Sequence, residues 1–238
     1  MKNKMYNFLD RSIYQKVRVL LFLYNSRNNC SITEISEYVN ISEKTVIKFL
    51  EELSKDFVEI NIGAEIEYKN NKSVQLNTKD NFSIKKMERF YLVQSLTYKA
   101  CDEIFYNTFD NIGTFAEKNY TSYATMYRRI NKIKPLLDQF NLKYSTQDMS
   151  SFHGTETQFR YFYFLFYWNS CWGEVWPFTF VTREQMLEIL SKENKTITEP
   201  MLYWLAITIT RAKLGYIIEN DVSYKSFTKH NYLYQSFF

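Results

Sequence analysis

The stretch SITEISEYVNISEKTVIKFLEEL, residues 31–53, decides the fold. Ser31 stands where a helix N-cap belongs, and Ile32, Ile35 and Val39 follow at helical spacing. Asn40 and Ile41 break the run. Ser42 then caps a second helix, which places Val46, Phe49, Leu50 and Leu53 along one face. Upstream, Ile13, Val17, Leu20, Leu21 and Tyr24 make another helical stripe. The order is helix, short helix, tight turn, longer helix. That is the plan of a helix-turn-helix, whose short helix braces a longer one with its front turns in the DNA major groove.

Eighty residues on, the pattern returns in phase and without a gap. Ile32 corresponds to Ile112, Ile35 to Phe115, Glu37 to Glu117 and Ser42 to Ser122. Thr45 then corresponds to Thr125, Val46 to Met126 and Leu50 to Ile130. One S-x-x-T string followed by spaced apolar residues says little. Two in register, each behind a short apolar helix, define a duplicated unit.

With Val46 and Leu50 inward, Lys44 and Lys48 point outward beside Glu51. With Met126 and Ile130 inward, Tyr123, Ala124, Tyr127, Arg128 and Asn131 point outward, flanked by Lys132. Arginine and asparagine have the donor geometry that reads guanine and adenine edges. Charge agrees with that ranking: between 118 and 143, Lys118, Arg128, Arg129, Lys132, Lys134 and Lys143 face only Asp138. The first unit offsets Lys44, Lys48 and Lys55 with Glu43, Glu51 and Glu52. The expected DNA contacts are therefore Ser42, Lys44 and Lys48 in the first unit. In the second, the main reader, they are Ser122, Tyr123, Ala124, Tyr127, Arg128, Asn131 and Lys132.

Alternation follows each long helix. Val58, Ile60 and Ile62, then Ile66 and Tyr68, then Val74 and Leu76 after an Asn70-Asn71 turn, predict a β wing. Leu142 and Tyr144 are expected to pair with a strand around Phe152. Lys69, Lys72 and Lys143 are the wing lysines placed for phosphates. Pro135 cannot donate to the Asn131 carbonyl, so the second reading helix is expected to kink or end near Lys134. Between the units, residues 83–106 read as one broken helix or two short ones.

Composition limits the alternatives. Of 238 residues only 5 are Gly and 3 Pro, which starves the turns of an all-β fold or a phosphate-cradling loop. Cys30, Cys101 and Cys171 are far apart and the histidines number 2, so neither a disulfide framework nor a metal centre is expected. No cofactor is implied. No signal peptide or membrane span is read, which points to a reducing, cytoplasmic protein. No Walker loop, G-x-S-x-G or H-E-x-x-H string appears, and an enzyme is not expected.

In the last third, Thr155–Gln158 spells a capping box before the aromatic run Phe159–Trp168, which must be covered by another domain or a second copy. Arg183–Ser191 reads as a short amphipathic helix. Thr198 is expected to cap a longer one, with Pro200 near its start and Gly215 just past its end. The aromatic tail, Tyr224–Phe238, marks the chain as a fragment or packs on a partner.

Several joined strings resemble the amino-terminal half of the Mga/AtxA family of bacterial transcription regulators. They are ITEISEYVNISEKTVIKFLEEL, FAEKNYTSYATMYRRINKI, and LDQFNLKYS leading into FHGTETQFRYFYFLFYW. MLYWLAITITRAKLGYII resembles the start of a phosphotransferase-system (PTS) regulation domain. The resemblance implies a mostly α fold: winged helix-turn-helix domains at 1–80 and 81–154, then an α-helical, PTS-regulation-like segment at 155–238. It implies a sequence-specific transcription regulator, commonly an activator. Expected partners are double-stranded DNA, RNA polymerase and a second copy held through the aromatic carboxyl-terminal third, with no membrane. Family members are phosphorylated on histidine, but residues 183–238 hold only His230, in the tail, so no phosphorylation site is carried over. Two readings compete: a plasmid replication initiator with two winged helices, and a helix-turn-helix protein used only for protein–protein contact.

Overall fold

The computed structural model describes residues 4–26, 29–70, 72–144, 151–191 and 196–218. A 3-10 turn, Lys4–Phe8, precedes α1 (Arg11–Asn25), α2 (Ile32–Val39) and α3 (Glu43–Glu59). Ser31 and Glu34 form a reciprocal capping box: the Ser31 hydroxyl accepts from the Glu34 amide at 3.1 Å, and the Ser31 amide donates to the Glu34 carboxylate at 2.7 Å. Asn40 ends α2 at φ 60°, a left-handed turn that asparagine tolerates. Ile35, Val39, Val46, Leu50 and Leu53 are all buried where these helices meet.

One sequence expectation fails here. Val58 belongs to α3, not to a strand, and is 80% exposed. The inward stripe of α3 continues through Phe57, one turn beyond Leu53, so helical packing overrides the local alternation. The helix closes when the Ile62 amide donates back to the Phe57 carbonyl. The wing itself forms: β1 (Cys30–Ser31), β2 (Ala64–Asn70) and β3 (Ser73–Thr78) make an antiparallel sheet in the order β1-β3-β2. Ile66 pairs with Leu76 and Tyr68 with Val74.

The second unit comprises α4 (Ile84–Gln94), α5 (Leu96–Phe105), α6 (Ile112–Lys118) and α7 (Tyr123–Asp138). A two-residue ribbon pairs β4 (Lys143–Tyr144) with β5 (Phe152–His153). The duplicated caps share one geometry. Thr45 and Thr125 each donate a backbone N–H to the serine hydroxyl three residues back, both at 3.2 Å. Pro135 does not end α7, which runs on to Asp138. Proline removes one helical hydrogen bond, and Leu136 and Leu137 continue the buried stripe past it.

Residues 156–213 carry α8 (Glu156–Cys171), α9 (Arg183–Ser191) and α10 (Glu199–Lys213). The aromatic helix α8 is covered by the chain itself. Phe166 meets Phe8 at 5.3 Å and stacks on Tyr98 at 4.4 Å. Tyr163 and Tyr167, fully buried, donate to the Cys101 carbonyl and the Asp102 carboxylate at 2.6 and 2.7 Å. Thr198 precedes α10 but makes no side-chain cap, whereas Gly215 follows it at φ 88° as expected. His230 and the rest of the aromatic tail lie outside the described residues. Among the described residues no helix is long and apolar enough to cross a membrane, and no cluster of side chains could hold a metal ion.

Two buried polar links knit the parts together. Lys16 pairs with Asp56 at 2.8 Å and Glu52 at 3.2 Å, and the Tyr91 hydroxyl donates to the same Asp56 carboxylate, joining α1, α3 and α4. Asp56→Ala would leave Lys16 charged and half-partnered in the core. It should cost about 3 kcal/mol of stability, read by urea unfolding. Glu88, on α4, accepts from Tyr6, yet burial holds its carboxyl above the usual carboxylate range. A raised native pKa makes ionised Glu88 a burden that grows as pH climbs through that value. Glu88→Gln should therefore raise the melting temperature at pH 7, with the gain shrinking towards pH 4.

Candidate nucleic-acid interface

The site is built on the start of α7. Ser122 caps it, and Tyr123, Ala124 and Arg128 are exposed over the first two turns. Tyr127 is half-buried and stacks on Tyr123, ring planes 12° apart. Arg128 folds back along its own helix, its guanidinium within 3.4 Å of the Ala124 carbonyl and 3.5 Å of the Thr125 hydroxyl, and it has no ion pair among the described residues. Tyr120, in the turn before the cap, is fully exposed at φ 52°. Sequence reasoning passed over Tyr120; the Asn119-Tyr120-Thr121 turn was its only local signal.

The back half of α7 is occupied by the amino-terminal segment. Arg129 pairs with Asp10 at 2.7 Å, and Lys132 donates to the Leu9 carbonyl at 2.6 Å. Lys4 donates to Gln139, just past the helix end. Burial pushes the Lys132 ammonium pKa down, partly offset by Asp10. Lys132 remains exposed while its ammonium is held against the backbone of residue 9. Asn131, expected outward, turns its carboxamide oxygen into the interior, where it has no hydrogen-bond partner. Helical phase alone placed both outward. Only the Asn131 oxygen departs from that placement; Lys132 stays exposed, its ammonium engaged by the Leu9 carbonyl, 123 residues away in sequence.

The basic cluster is correspondingly thinned. Lys118 pairs with Glu103 at 2.9 Å. Arg128, Lys134 and Lys143 remain without an ion pair among the described residues.

On α3, Ser42 caps the helix, Lys44 is exposed with no ion pair among the described residues, and exposed Lys48 lies 3.7 Å from Glu52. Further along, Glu51, Val58 and Glu59 line a groove with Tyr68 of the wing. The wing lysine Lys69 pairs with Glu67 at 2.6 Å. The outer face of α3 is therefore of mixed charge and partly apolar, whereas Arg128 at the start of α7 has no ion pair among the described residues. Ser42, Lys44 and Lys48 share one helix and the α7 set another.

Asn131→Leu should remove the buried oxygen's unmet demand and raise stability by about 1 kcal/mol, measured by urea unfolding.

Residues 80–167 match the Mga helix-turn-helix domain. Over 220 residues the chain is 23% identical to the anthrax toxin expression trans-acting positive regulator of Bacillus anthracis, covering 89% of this chain and 45% of that protein. Over 219 residues it is 20% identical to the capsule synthesis positive regulator AcpB of the same organism, again covering 89% and 45%. The chain spans less than half the length of these relatives.

Proposed function

We propose that the chain, whose residues 80–167 match the Mga helix-turn-helix domain, is a sequence-specific double-stranded DNA-binding regulator of transcription of the Mga/AtxA kind. The relatives are described as positive regulators, so the proposed sense of control is activation. The observation that carries the reading is the free start of α7. Two exposed turns bear Arg128 and the Tyr123–Tyr127 ring pair, behind a serine cap repeated in phase eighty residues earlier. Recognition helices contact base edges with their amino-terminal residues, and those are the residues left open here.

Arg128 is assigned to a guanine edge. The ring pair supplies apolar contact to thymine methyls, and the amides at the start of α7 face a phosphate. Lys134 and Lys143 add backbone contacts. Asn131 and Lys132 are assigned to holding α7 in place instead of to bases. The first unit, with Lys44 and Lys48 beside acidic neighbours, takes the weaker DNA contact or faces RNA polymerase. A second copy of the chain is a further proposed partner, through the rim of α8 and α10, where Phe164 packs on Trp204, which is 40% exposed.

The test is binding to duplexes selected from random sequence, followed by fluorescence anisotropy. Arg128→Ala should weaken the selected site by about 1–3 kcal/mol and relax one base position. Lys44→Ala should weaken all duplexes alike and by less. The plot of log affinity against log salt should fall with a slope of about −3 to −4, as expected for about four neutralised phosphates. Failure to enrich any duplex, or a flat salt response, would leave the protein-contact reading in its place.

A further inference from the structure

Away from α7, a cavity of about 370 Å³ opens where three parts of the chain meet. Its walls are residues 60–62 after α3, one side of α4 from Lys85 to Val93, and residues from Ser170 to Val175 at the end of α8. That volume lies within the range of small-molecule sites. Lys85, Lys86 and Arg89 of α4 line it, against a single carboxylate, Glu174. None of these three cations forms an ion pair among the described residues. The Lys85 ammonium lies 4.2 Å from the Trp172 ring centroid. One guanidinium nitrogen of Arg89 donates to the Cys171 sulfur at 2.9 Å, a weak acceptor that leaves the rest of the fork uncommitted.

A simpler role for these cations would be to cap the carbonyl ends of α3 and α8, both of which reach the cavity. Backbone amides already do that. Ile62 and Asn61 donate to the Phe57 and Val58 carbonyls, and Trp172 and Glu174 donate to those of Trp168 and Cys171. The cations are left over. Glu88 acts on Lys85 and Asp102 on Arg89 without an ion pair, and the lining stays net positive. Net positive charge in a concave wall attracts an anion, and a guanidinium fork suits phosphate oxygens. Phe90, Val93 and Ile62 supply an apolar wall beside the charge.

We propose that this cavity is a binding site for a small phosphate monoester. The free edge of Arg89 takes the phosphate, Lys85 and Lys86 balance its second charge, and Phe90 and Trp172 pack on its organic part. The proposal goes beyond DNA recognition and does not rest on it.

Phenyl phosphate is the probe, titrated by calorimetry into the full chain, with inorganic phosphate and neutral benzyl alcohol as comparisons. The expected result is one saturable site per chain for phenyl phosphate, weaker binding of inorganic phosphate, and none of the alcohol. Arg89→Gln should lower the affinity at least about tenfold. Lys85→Gln with Lys86→Gln changes two exposed side chains, so it should melt like the parent and still bind several-fold more weakly. No saturable binding to the parent chain overturns the proposal, as does equal binding by both variants, which would place the anion elsewhere. Loss of DNA affinity in the double variant, with no phenyl phosphate binding to the parent, would assign these lysines to nucleic acid and overturn it too.

Discussion

The docking of residues 4–10 on α7 fixes how the rest of the molecule presents itself. Met5, Phe8 and Leu9 are buried, Phe8 against Phe166 of α8. Burying Phe8 alone contributes about 2 kcal/mol, more than the partly exposed Arg129–Asp10 pair, which is worth less than about 1 kcal/mol. Apolar burial therefore holds the segment down, and the polar contacts set its register. With Lys132 on the Leu9 carbonyl and Arg129 on Asp10, one side of the back half of α7 is engaged by this segment, while its front turns are exposed. A helix anchored along one half holds its exposed front turns in a fixed position.

The same economy of contact joins the remaining parts. Glu156 at the start of α8 accepts from Arg160 and, through both oxygens, from Arg211 of α10. The Arg211 guanidinium lies between the rings of Phe159 and Tyr216, 3.9 and 3.7 Å from their centroids, and reaches the Phe105 carbonyl of α5. Arginine tolerates such burial because its planar face stacks while its edge hydrogen bonds. Together with the Lys16–Asp56–Tyr91 link, these contacts couple both helix-turn-helix units to the carboxyl-terminal helices. A displacement of α10 would be felt at α5, and one of α4 at α3.

The two units share a scaffold but not a surface. Caps, inward stripes and the short brace helix recur at one offset, because each is dictated by local helix chemistry and a few apolar positions. The outer faces diverge. On α3, glutamates lie among the lysines, with Val58 and the wing's Tyr68 standing open, while the start of α7 presents an arginine and two stacked tyrosines. Duplication preserved what folding requires and left the solvent side free to differ.

Much was settled by order of residues alone. The S-x-x-T caps, the cap at Ser31, the capping box at Thr155, the α4–α5 break and the β2–β3 hairpin follow from interactions close along the chain. The boundaries that failed were those where distant packing outweighs local pattern. Val58 looked like strand until Phe57 drew the helix onward, and Pro135 looked like a stop until Leu136 and Leu137 found the core. Lys132 is exposed as helical phase requires, but helical phase knows nothing of the segment from residues 4–10 that engages its ammonium, nor of the inward turn of the Asn131 oxygen. The aromatic run at 159–168 announced that it must be buried, but only the folded chain determined that Phe8, Tyr98 and α10 would bury it. Local hydrogen bonds and periodicity are written along the sequence; which side of a helix meets solvent depends on partners that only the tertiary fold brings into reach.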